Sequence, residues 1–93
     1  MAFELLSAAC PDLTTDDEWK IAGLLPAGFT MASPAIRPVF RFLISIVKEL
    51  IAAMGQNWAM VEVALIALGI PAWMIAIAKM IFDRLQPAPI PAP

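Results

Sequence analysis

Thr15-Asp16-Asp17-Glu18 sets three carboxylates side by side, and oxygen-rich clusters of that kind are what a hard cation binds. Neighbouring helical positions, however, diverge by about 100°, and a cation needs its ligands to converge. The same four residues match a capping box, in which the Thr hydroxyl accepts from the N3 amide and the Glu carboxylate accepts from the N-cap amide. They are expected to begin a helix and to hold no metal. Cys10 is the only cysteine and histidine is absent. That count excludes disulfide scaffolds, Cys/His zinc sites, imidazole-ligated haem and His-based triads. With neither a paired acid and base nor an activated nucleophile, the chain is expected to be no enzyme and to carry no cofactor. Cys10 itself is expected to be a small, half-buried side chain.

The other chemically capable groups are the ionisable residues set in apolar surroundings: Arg37, Arg41, Lys48, Glu62, Lys79 and Asp83. Ionisable groups at membrane depth can relay protons or ions. Here each lies within about two turns of an expected helix end, where a long side chain reaches headgroups or water. Packing and anchoring are therefore expected in place of transport.

Composition sets the solvent in which these residues act. Of 93 residues, 61% are hydrophobic and 15% charged, and mean hydropathy is +0.82. A soluble domain has about 45–50% apolar and about 25% charged residues, so water is not the only solvent expected for this chain. Residues 1–35 hold Glu4, Asp12, Asp16, Asp17 and Glu18 against Lys20 alone, whereas the basic groups Arg37, Arg41, Lys48, Lys79 and Arg84 sit beside apolar runs. Membrane-flanking cations are distributed in that way. There is no cluster of Lys and Arg with interleaved aromatics, so no nucleic-acid partner is expected. Met1 to Cys10 lacks the basic start and apolar run of a secretory signal.

The expected fold is all-α: a small integral membrane protein built on an antiparallel helical hairpin. Residues 1–35 form an acidic extramembrane segment with a short capped helix over about 16–25, ended by Pro26. Residues 36–54 form a helix with Pro38 in its first turn and Gly55 just beyond its last. Arg37, Arg41, Ser45 and Lys48 draw one polar stripe along it, and its length of about 28 Å suits either a second span or a helix lying in the interface. Residues 58–84 are expected to be a transmembrane helix. Val63 to Ala78 carries no charge, Asn57 is placed to cap the start, and Pro71 should kink it near Gly69. Residues 85–93 form a Pro-rich tail of polyproline II type.

Only Gly55, Gln56 and Asn57 separate the two long helices, so these must pack against each other. Lys48 and Glu62 then lie at similar depth and are free to pair. If both helices span, the cations fall at one face and both termini lie on the cytoplasmic side. Along 58–84, Glu62, Gly69, Ala72, Ala76, Lys79 and Asp83 follow at spacings of seven, three, four, three and four, collecting charge and small side chains on one face. Small residues let helices approach closely in lipid, so that face is expected to meet protein, with Leu65, Leu68, Ile75 and Ile77 facing lipid. Arg37, Arg41, Lys48 and Trp19 complete the expected partner contacts, and residues 1–30 are expected to be ordered only against a partner or the hairpin.

These features imply a non-catalytic accessory or structural subunit of a larger membrane assembly, such as a bioenergetic complex, a secretion machine or a virion membrane. Its partners would be membrane lipid and other subunits or copies of itself, and its place a bacterial inner membrane or a virion membrane. Residues 36–85 also resemble two-helix phage holins in size, short turn and termini on one side, which implies a membrane-permeabilising oligomer. Holins commonly end in a strongly charged tail, whereas this chain ends in proline and alanine.

Overall fold

The computed structural model describes residues 3–85, and the expected polyproline-type tail falls outside the described residues but for Leu85. Among them there are five helices and no strand: α1 (Phe3–Ala9), α2 (Thr15–Leu24), α3 (Ile36–Met54), α4 (Trp58–Ala67) and α5 (Ala72–Leu85). The described residues are all-α, consistent with the periodicity of the sequence.

Helix α3 has the bounds its sequence marks. Gly55 closes it at φ 77°, a left-handed conformation that glycine tolerates, and its N–H donates to Ile51 O at 2.8 Å. Ile36, Phe40, Leu43 and Val47 recur at spacings of four, three and four and are buried along one side. Arg37, Arg41, Ser45 and Lys48 remain exposed on another. Asn57 caps α4 as expected, its side-chain oxygen accepting from Ala59 N at 3.1 Å.

The main departure lies between residues 67 and 72. In place of one kinked helix over 58–84 there are two, α4 and α5. Gly69 takes φ 79°. Its N–H donates to Ile66 O at 3.0 Å, and the Ile70 N–H donates to Leu65 O at 3.1 Å. These two bonds are the Schellman ending, with Gly69 at the left-handed position, apolar Ile70 beyond it, and Pro71 barring further helix. The Pro71 carbonyl then accepts from Ile75 N at 3.0 Å and opens α5. The chain folds back there, bringing Trp58 at the start of α4 to 5.4 Å from Phe82 near the end of α5. At 1.5 Å per residue, α4 and α5 are about 15 and 21 Å long, short of a hydrocarbon core of about 30 Å. Among the described residues no helix is long and apolar enough to cross a membrane.

All five helices share one core. Helix α3 packs against α1, α4 and α5, and α2 packs against α5. Leu6, Cys10, Leu13, Ile21 and Met31 of the N-terminal segment join Phe40, Leu43, Val61, Leu65, Ile77, Ile81 and Phe82. The described part of the segment packs against the hairpin. Leu65 and Ile77, expected to face lipid, are fully buried, because the reversal folds α5 back and both join the shared core. Helix α1 was not marked in the sequence, and α2 begins one residue earlier than expected, with Thr14 as its N-cap instead of Thr15.

Two glycine substitutions separate conformation from packing, since a Cβ at either Gly69 or Gly23 would meet nothing within 4 Å. Gly69→Ala is expected to cost about 1–2 kcal/mol, because alanine resists the left-handed region. Gly23→Ala, inside α2, is expected to stabilise by about 0.4–1 kcal/mol by restricting the unfolded chain. Urea midpoints of the two variants check the opposite signs.

Candidate functional site

Two surfaces and one half-buried contact hold the residues of chemical interest. The first surface is the outer side of α4. This helix is apolar almost all round, and such a helix is ordinarily buried. Only Val61 and Leu65 are buried in the core, whereas Met60 is 50% exposed, Val63 66%, Ile66 59% and Leu68, just beyond the helix, 59%. A shallow apolar groove of about 530 Å³ runs along it, lined by Met54, Ala59, Met60, Val63, Ala64 and Ala67.

The second surface is the groove between α4 and α5, of about 610 Å³. Its mouth holds Trp58, Glu62 and Lys79, and its walls Ile66, Ile70, Ala72, Ile75 and Ala76. Lys79 Nζ stands 5.4 Å from the Trp58 ring centroid and 5.7 Å from that of Phe82. It also donates to Asp83 Oδ1 at 2.7 Å, one helical turn on. Four residues read from sequence as one straight docking stripe, Glu62, Ala72, Ala76 and Lys79, thus meet across a groove. Gly69 makes the reversal, and Asp83 is tied to Lys79.

The remaining expected contacts are spread out. Arg37, Arg41 and Lys48 stay exposed on α3, and Trp19 is 74% exposed on α2. Lys48 and Glu62 form no ion pair. Lys48 lies near Cys10, whose thiol is pushed up by burial, with Lys48 pulling down and Asp12 pushing up by lesser amounts. A protonated, fully buried thiol is a poor nucleophile.

The half-buried contact joins α2 to α5. Asp17, only 3% exposed, is the N3 residue of the cap. Thr14 N donates to its Oδ2 at 3.0 Å, and Asp17 N donates to Thr14 Oγ1 at 3.3 Å. Arg84 Nη2 donates to Asp17 Oδ1 at 3.3 Å and lies 3.2 Å from Oδ2. The Thr14 amide chiefly holds the carboxyl below its ordinary value, against the upward push of burial, and Arg84 adds to the lowering. Sequence reading missed this pair. The signal available was a capping Asp followed four residues on by Ile21, which places both on the inward side of α2.

Among the described residues no three His, Cys, Asp or Glu side chains converge as metal ligands. No family model, curated protein or solved structure matches this chain.

Proposed function

We propose that the chain is a non-catalytic accessory subunit of a membrane assembly, held at the bilayer by the outer face of α4. The observation that carries this reading is the apolar outer face of α4, where Met60 and Val63 are exposed beside Met54, Ala59, Ala64 and Ala67. Contiguous apolar surface of that kind marks a contact with lipid or protein. The element is too short to cross, so the seating is interfacial, with the apolar side sunk to the headgroup boundary. The exposed cations Arg37, Arg41 and Lys48 on α3 are left for neighbouring subunits or for anionic headgroups.

The test is regulated expression of the tagged chain in a bacterial host, followed by membrane fractionation and purification. The wild type is expected in the membrane fraction, harmless to the cell, with partners at fixed stoichiometry. The double variant Met60→Ser, Val63→Ser, both on the outer face of α4, is expected to move largely to the supernatant. Because it alters exposed side chains, its fold should survive, with a stability change of about 0.5 kcal/mol or less per site. Equal retention of the variant would sink the α4 assignment, and abrupt lysis with dye entry would favour a holin-like pore.

A further inference from the structure

We propose that the α4/α5 groove binds a single zwitterionic phospholipid, its acyl chain between the helices and its headgroup at Trp58, Glu62 and Lys79. The polarity of the groove is graded along its length. Glu62 and Lys79 share one end with Trp58, and along the helices toward the α4/α5 reversal Ile66, Ile70, Ala72, Ile75 and Ala76 offer no side-chain donor or acceptor. A peptide strand laid there would leave its N–H and C=O groups unpaired. A hydrocarbon chain brings no such groups.

The mouth selects the headgroup by charge. Lys79 has three N–H donors and is bonded to Asp83 at 2.7 Å, which leaves donors for a phosphate. Glu62 is exposed and supplies a carboxylate for an ammonium group. An ammonium and a phosphate on one headgroup match the opposite charges of Glu62 and Lys79, whereas a purely anionic amphiphile would meet Glu62 and Asp83 as like charges. From Lys79 to Ala72 the inner wall runs about 10 Å at 1.5 Å per residue, so the site holds part of one chain and leaves the rest to the surroundings.

This inference rests on the membrane reading only for its source of lipid, and its test separates the two. Full-length protein is titrated calorimetrically with alkyl phosphocholines of six to ten carbons, each below its micelle concentration. Affinity is expected to rise about fourfold per methylene until the chain outgrows the groove. Alkyl sulfates of equal length are expected to bind roughly tenfold more weakly. Ala72→Phe, at an exposed position on the inner wall, should fill the space and weaken binding roughly tenfold. Glu62→Gln, which cannot disturb the core, should narrow the preference for phosphocholine over sulfate. Val63→Ser on the outer face of α4 should leave this titration unchanged. Binding that ignores chain length, or that survives Ala72→Phe at full strength, overturns the groove assignment. Groove binding by a chain that fails to fractionate with membranes overturns the membrane reading alone.

Discussion

Replacing Phe40 by alanine is expected to lower stability by about 3–5 kcal/mol, a large share of the roughly 5–15 kcal/mol a domain possesses. Phe40 is fully buried on α3, the helix against which α1, α4 and α5 all pack. Its removal leaves a cavity whose walls belong to separate helices and cannot all collapse together. Phe42, two residues on, is 44% exposed, and Phe42→Ala is expected to change stability by less than about 1 kcal/mol. The comparison discriminates because the two side chains are identical and differ only in the face they occupy. In a straight hairpin seated in lipid, with no folded-back α5 and no α1 beneath, the two substitutions would have similar effects. Urea unfolding followed by circular dichroism reads both midpoints.

Asp17→Ala is expected to cost about 2–3 kcal/mol, since it removes the reciprocal cap of α2 and the charged hydrogen bond to Arg84 together. The exposed side of Arg84 limits the loss, because the guanidinium left behind can hydrate. Asp17→Asn keeps an oxygen for the Thr14 amide but not the charge, so it should cost less and separate the two contributions. The pH dependence has a definite sign. The folded carboxyl lies below its ordinary value, so its stabilisation is complete above the unfolded value of about 3.9. It is lost as pH falls through the lower folded value, where the native state must also take up the proton. Wild-type stability should therefore drop below about pH 4 by more than that of Asp17→Asn. Parallel profiles for the two proteins would show that the Asp17 charge contributes nothing to folding.

Much of the helix layout was legible because local chemistry marks it. Pro38, Gly55 and Asn57 are punctuation that acts within one turn of where it stands, and α3 begins and ends where those residues place it. The buried spacing Ile36, Phe40, Leu43, Val47 lies away from the cationic stripe, so one helix face predicted the other. The reversal at Leu68-Gly69-Ile70-Pro71 was legible only in part. Glycine followed two residues later by proline fits either a kinked span or a Schellman stop, and the choice depends on non-local burial. Trp58 against Phe82, and Ile77 and Ile81 turned into the core, decide it here. The groove followed from the same event: Glu62 and Lys79 are seventeen residues apart in sequence and become neighbours only when α5 folds back on α4. Helix α1 escaped notice because seven residues, FELLSAA, carry too little periodicity to stand out, and its Leu6 gains meaning only against α3. The Asp17–Arg84 pair spans sixty-seven residues and has no local signature beyond the cap.

The most direct test of the membrane account is the depth of α4 in a bilayer. An environment-sensitive fluorophore is placed on Val63→Cys, on the exposed outer side of α4, and in a second protein on Arg41→Cys, on the cationic stripe of α3; Cys10 is fully buried and does not compete for label. The full chain is mixed with vesicles of zwitterionic and anionic phospholipid, and quenching by lipids brominated at known chain depths is recorded. A blue-shifted emission at residue 63, quenched by bromines near the headgroup boundary, with residue 41 still in water, is the result predicted. Both probes remaining aqueous, with the protein left in the supernatant, would contradict the account.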